Sequence, residues 1–179
     1  MIIGVSGPIG AGKTTICEIL KARGFRYISL SDVLREECIK RGLNLERKNL
    51  RRVGDELRKR YGKAALAIIA WKRIEKNGNW VIDSIRVPEE AEYFKKKGAF
   101  ILGVYAPAKI RYERIRARGR DLYKSFEEFR REDEHDRALG IDQILKNADF
   151  IILNDGTMEE LEENVDMLLN FISSSSQNS

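Results

Sequence analysis

The sequence predicts a three-layer α/β/α sandwich, a five-stranded parallel sheet with helices on both faces. Two observations predict it. Short, continuously apolar runs alternate with segments of helical period along the whole chain, the pattern of buried parallel strands joined by right-handed helical crossovers. The first apolar run also leads directly into Gly7-Pro8-Ile9-Gly10-Ala11-Gly12-Lys13-Thr14, which fits G-x-x-x-x-G-K-[ST] in the strand–loop–helix setting that the motif requires.

The elements follow in order. Ile2–Ser6 reads as a buried strand, and 13–23 as a helix stopped by Gly24. Apolar runs at 27–30, 80–83, 100–105 and 150–153 supply four more strands. Between them the spacing predicts helices at 32–41, 46–60, 62–77, 88–97, 108–117 and 126–138. The last helix, 157–172, opens on a capping box in which Thr157 is N-cap and Glu160 stands at N3. Met158, Leu161, Val165, Leu168, Leu169 and Ile172 then line one face of it. The Ser-Ser-Ser-Ser-Gln-Asn-Ser tail at 173–179 has nothing to bury and is expected to be disordered. The 179 residues show no dividing linker, so residues 1–172 form one domain.

Composition narrows the function classes. No apolar run approaches the roughly 18 residues of a membrane span, and no basic n-region or cleavage site precedes the first strand. Cys17 and Cys38 lack metal-type spacing and suit buried packing in a reducing cytoplasm. The net charge of +5 (33 Lys+Arg against 28 Asp+Glu) is too mild to mark a nucleic-acid binder. Aromatic residues for base stacking are scattered, so nucleic acid is not the favoured partner. The basic residues are nevertheless concentrated, ten of them within 35–60 and ten within 109–137. Two such stretches around a glycine-rich loop suit a substrate bearing several phosphates.

The glycine-rich loop carries the chemistry. Its glycines let backbone N–H groups curl toward phosphate oxygens, and the following helix N-terminus adds positive potential. Gly7, Pro8, Ile9, Gly10, Ala11, Gly12, Lys13, Thr14 and Thr15 are therefore the expected ATP contacts. Lys13 would reach the β- and γ-phosphates, and the Thr14 hydroxyl would hold Mg²⁺. Asp83 ends the third strand, where ligands of open α/β sheets bind. It is placed to orient metal-bound water or to accept a substrate hydroxyl proton. Ser31 or Asp32 can cap the helix after the second strand, with Arg35 one turn into it. Arg86, three residues beyond Asp83, can hold an acceptor phosphate. The segment 109–137 crowds Arg111, Arg114, Arg116, Arg118, Arg120, Arg130, Arg131 and Arg137 around Gly119. Such an arginine-rich lid can close over a triphosphate and stabilise the charge of phosphoryl transfer. His135 lies on a very polar helix and reads as a surface residue.

Together these motifs resemble the nucleoside-monophosphate kinase branch of P-loop kinases. Ser31-Asp32-Val33-Leu34-Arg35 is similar to the adenylate kinase segment that contacts the acceptor nucleotide, and Asp83…Arg86 to its Asp-Gly-Phe-Pro-Arg element. Residues 148–157 resemble the corresponding part of dephospho-CoA kinases, although the third strand ends Asp83-Ser84-Ile85-Arg86 and His135 has no proline beside it. Over nearly the full chain the plan resembles archaeal adenylate-kinase-related proteins. The resemblance implies an ATP- and Mg²⁺-dependent, monomeric cytoplasmic kinase acting on a small nucleotide-type acceptor. It implies Lys13, Asp83, Arg118 and Arg120 as catalytic residues, Thr14 and Asp83 at the metal, and Arg114 and Arg118 as further ATP contacts. Asp32, Arg35, Arg58, Arg86, Arg131 and Arg137 would hold the acceptor. A hydrolytic NTPase would more often carry an acidic partner after Asp83, where this chain has Ser84.

Overall fold

The computed structural model describes residues 1–75, 77–119 and 123–177. Five strands form one parallel sheet: β1 (Ile2–Ser6), β2 (Arg26–Ser29), β3 (Trp80–Ile85), β4 (Phe100–Tyr105) and β5 (Phe150–Leu153). Their spatial order is β2-β3-β1-β4-β5. β1 is central, and the order reverses around it, so the loop leaving β1 opens at the switch point where α/β sheets bind ligands. The helices are α1 (Lys13–Ala22), α2 (Leu30–Lys40), α3 (Arg47–Tyr61), α4 (Ala65–Trp71), α5 (Pro88–Lys96), α6 (Ala108–Ala117), α7 (Phe126–Asp136), α8 (Asp142–Lys146) and α9 (Met158–Gln177). A π-helical turn, Arg137–Ile141, joins α7 to α8.

Alternate residues of the same strands feed two cores. Val81, Leu102 and Val104 pack with Ile16, Leu20 and the α9 residues Leu161, Val165 and Leu168. Ile82, Ile85 and Ile101 pack with Val33, Val53, Leu57, Leu66 and Phe94. One face of the sheet therefore carries α1 and α9, and the other carries α2 to α5, as the period of two requires. Cys17 and Cys38 are both buried free thiols. None of the helices in the described residues is long and apolar enough to cross a membrane.

Several boundaries differ from the sequence reading, each for a local reason. α2 begins at Leu30, so Ser31 and Asp32 lie inside its first turn instead of capping it, and Ser29 occupies the N-cap without a side-chain bond. Asp32 still favours that end of the helix dipole. The helix expected over 62–77 shortens to Ala65–Trp71, because Gly62 (φ 86°) breaks it from α3 and turns at Arg73 and Ile74 close it. α7 stops at Asp136, and α8 was not foreseen, five residues being too short for a period to show. The disordered tail expected from Ser173 is instead helical through Gln177. The Ser173 and Ser174 hydroxyls bond back to the Leu169 and Asn170 carbonyls at 2.8 Å each. Asn178 and Ser179 lie outside the described residues. The capping box is formed as read: the Thr157 hydroxyl accepts from Glu160 N at 3.2 Å, and Glu160 accepts from Thr157 N at 2.8 Å.

Candidate functional site

The loop after β1 turns into α1 around glycines with no room for a side chain. Gly10 (φ 78°) lies on the backbone of Arg111, whose carbonyl oxygen would be 2.8 Å from an added Cβ. Gly12 (φ 102°) occupies the N-cap of α1, where a Cβ would fall 2.1 Å from Asn154 Nδ2. These backbone conformations leave the helix N-terminus and the loop amides free to face an anion. The Lys13 ammonium donates to the Gly7 and Pro8 carbonyls at 2.7 and 2.9 Å, folded over the loop it serves. Burial pushes its pKa down to about 8, an effect that nearby Asp83 opposes. Thr14 stands exposed beside it.

Asp83 is buried at the carboxyl end of β3, beside Ser29 of β2 in the sheet register. It accepts from Ser84 N at 2.6 Å through Oδ1 and from the Tyr27 hydroxyl at 3.1 Å through Oδ2. Ser84 has φ 66°, which no other non-glycine among the described residues shares. Strain of this sort persists where surrounding structure holds it, and here it lies beside the carboxylate facing the loop.

Three cavities run in sequence across this end of the sheet. The middle one, about 300 Å³, is lined by Gly10, Gly12, Lys13, Thr14, Tyr27, Asp32, Arg35, Asp83, Arg86 and Arg118. Gly12 and Arg118 also border a smaller cavity of about 170 Å³, completed by Thr15, Arg114, Asn154 and Thr157. On the other side Ser31, Arg35, Ser84 and Arg86 are shared with a cavity of about 460 Å³. Its remaining wall includes Leu34, Leu50, Leu66, Arg51, Arg58, Glu90, His135 and Asp136. The three cavities thus share walls in succession, the middle one bordering both others.

The expected residues divide accordingly. Ile9, Gly10, Gly12, Lys13, Thr14 and Thr15 of the loop region, with Asp83, Asp32, Arg35, Arg86, Arg114 and Arg118, converge on the first two cavities and Arg58 on the largest, while Gly7, Pro8 and Ala11 are buried behind them. Asp32 and Arg35 pair with each other at 2.6 Å, and Arg86 with Asp136 at 3.4 Å. Arg131 and Arg137 line none of the three, and Arg137 pairs with Asp142 at 2.8 Å on the surface. Arg120 lies outside the described residues. His135 is exposed as expected and also lines the largest cavity.

Sequence reasoning missed two supports. Arg111, counted among the lid arginines, is a buried strut. Its guanidinium makes a bidentate pair with Asp133 (2.6 and 2.8 Å) and donates to the Ala106 and Ile9 carbonyls at 2.8 and 3.0 Å. It ties α6 and α7 to the phosphate loop. Asn154, just after β5, donates to the Ala11 carbonyl at 2.8 Å, and its own carbonyl accepts from Arg114 at 2.9 Å. Its position at a strand's carboxyl end, the rule that singled out Asp83, is the signal that could have found it.

A Thr hydroxyl and a carboxylate are hard oxygen donors suited to Mg²⁺. Among the described residues no group of three or more His, Cys, Asp or Glu could hold a metal by itself.

A family model described as "AAA domain" matches residues 3–135. A UPF0200 protein of Thermococcus gammatolerans is 38% identical, with 94% of each chain covered. Among solved structures, a shikimate kinase from Bacteroides thetaiotaomicron is 17% identical with TM-score 0.63, covering 97% of this chain and 98% of its own. A dephospho-CoA kinase from Campylobacter jejuni is 18% identical with TM-score 0.61, covering 98% of each chain. The sandwich and its parallel sheet are thus a P-loop kinase fold.

Proposed function

This chain belongs to the AAA domain family and to the UPF0200 group, and we propose that it is a kinase moving the γ-phosphoryl group of ATP to a nucleotide-type acceptor. The observation that carries the reading is the succession of three cavities, with Lys13, Asp83 and Arg118 around the middle one. A hydrolase needs room for water alone beyond the phosphates. Here a walled, part-apolar cavity of about 460 Å³ opens there, within the size range of ligand sites.

In this reading the small cavity beside Arg114 and Asn154 takes the donor base. Loop amides from Gly7 to Thr14 hold the phosphates, and Lys13 leaves its carbonyl partners for the β- and γ-oxygens. Thr14 and Asp83 would hold Mg²⁺, which would supply positive charge to offset the negative charge developing on the transferred group. Tyr27 and Ser84 N fix the orientation of Asp83. Arg118, between donor and transfer cavities, stabilises the equatorial oxygens, with Arg120 a second candidate. Arg35, Arg58 and Arg86 receive the anionic acceptor. Catalysis is then mainly positioning and charge stabilisation. The reading places the protein as a monomer in the cytoplasm.

The test is an acceptor screen. Protein with ATP and Mg²⁺ is offered AMP, CMP, UMP, GMP, their deoxy forms and dephospho-CoA, and phosphorylated product is followed directly. One acceptor should turn over far above background and be lost in Lys13→Ala. Strong acceptor-independent hydrolysis with no transfer would overturn the kinase reading.

A further inference from the structure

The largest cavity has a polar feature that the reading above leaves unused. Glu90, on the first turn of α5, is 1% exposed and lines the cavity. Its Oε2 accepts from Arg86 N and Val87 N at 3.1 and 3.4 Å, capping the helix. Its Oε1 has no hydrogen-bond partner, and neither does Nε of Arg58, which lines the same cavity. The two side chains approach only to 3.8 Å, Arg58 NH2 to Glu90 Oε1, too far for a hydrogen bond. An acceptor atom and a donor atom are thus buried near each other with unused capacity, a costly arrangement unless something completes it.

Resting on the kinase reading, we propose that Glu90 and Arg58 form a reading head for a flat heterocyclic edge. That edge carries an N–H donor next to an acceptor atom, as a nucleobase edge does. The N–H donates to Glu90 Oε1, and the neighbouring ring nitrogen or carbonyl accepts from Arg58, whose side chain turns to admit it. Leu34, Leu50 and Leu66 on the cavity wall provide apolar surface for the ring faces. The same carboxylate works against the alternatives. A carboxylate-bearing acceptor without a ring edge would meet a buried negative group and leave Oε1 unpaired, which disfavours it by repulsion and lost hydrogen bonding together. Burial pushes the Glu90 carboxyl pKa up, an effect that the capping amides and Arg58 oppose without cancelling.

The test measures binding by calorimetry in the presence of a non-hydrolysable ATP analogue. AMP, GMP, CMP and UMP are compared with N6,N6-dimethyl-AMP, N1,N2,N2-trimethyl-GMP, N4,N4-dimethyl-CMP and N3-methyl-UMP, which lack the edge N–H. At least one unmodified nucleotide should bind about tenfold or more tightly than its methylated partner. In Glu90→Gln the amide oxygen can keep the helix cap while the amide nitrogen replaces the free acceptor by a donor. The ratio should then fall toward one, with ATP affinity and unfolding midpoint unchanged. Equal binding within every pair, or a ratio preserved in a folded Glu90→Gln, overturns the inference. Discrimination without phosphoryl transfer would sink the kinase reading and leave the inference standing. Transfer to an acceptor that lacks such an edge would do the reverse.

Discussion

Asp133→Ala tests whether the Arg111 strut holds the lid to the phosphate loop. The pair is bidentate, with side chains 2% and 4% exposed. Removing one member of such a pair strands a buried charge and costs about 3–5 kcal/mol. Arg111 keeps its bonds to the Ala106 and Ile9 carbonyls, so the low end, about 3 kcal/mol, is expected. With a urea m-value of about 2 kcal/mol/M, the unfolding midpoint should fall by about 1.5 M. The charge, more than the volume, is the issue, so the double variant Arg111→Met/Asp133→Leu should be more stable than Asp133→Ala alone. It still leaves two carbonyls without their donor, which keeps it below the parent. The assay is urea unfolding followed by circular dichroism on the parent, both singles and the double. A midpoint shift under about 0.3 M for Asp133→Ala, or a double variant no better than that single, would refute the strut. The double variant should also bind ATP more weakly, since the Ile9 carbonyl loses its anchor.

Four further outcomes are expected. Lys13→Ala should abolish phosphoryl transfer with an unchanged circular dichroism spectrum; retained transfer in a folded variant would remove Lys13 from the site. Because the free-protein pKa of Lys13 is lowered to about 8, the ammonium that attracts phosphate is present below pH 8 and lost above it. ATP affinity should therefore fall as pH rises from 7.5 to 9.5, and flatten in Lys13→Arg, whose charge does not titrate there; a flat parent profile would count against this. Gly12→Ala puts a Cβ on Asn154 Nδ2 at a left-handed backbone position, so it should cost about 1–3 kcal/mol by denaturation and weaken ATP binding. Thr157→Ala removes the cap of α9 and should cost about 0.5–2 kcal/mol of stability, read from the urea unfolding midpoint.

What could be read in advance was what lies close together in the chain. The loop from Gly7 to Thr14 is contiguous, so its chemistry shows in a single motif, and the strands declare themselves by continuous apolar runs. Asp83 was found because a strand's carboxyl end can be located without knowing its neighbours. The pairings were hidden for the opposite reason. Tyr27 meets Asp83 across 56 residues, and Asn154 meets Ala11 across 143, distances over which no local pattern survives. Arg111 looked like one of many lid arginines because sequence gives its charge and not its burial. Arg137 looked equally functional, yet it is satisfied by Asp142 five residues on. α8 escaped because a helix of five residues is set by tertiary contact more than by propensity.

The two cores give the molecule a division of labour. The helices beside the largest cavity rest on Ile82, Ile85 and Ile101, whereas α1 and α9 rest on the opposite face through Val81, Leu102 and Val104. Substitutions on the first side share no apolar neighbours with those on the second, so their energetic effects should add without coupling. The two sides meet along the strands they share, where Val81 stands next to Ile82 and Leu102 next to Ile101.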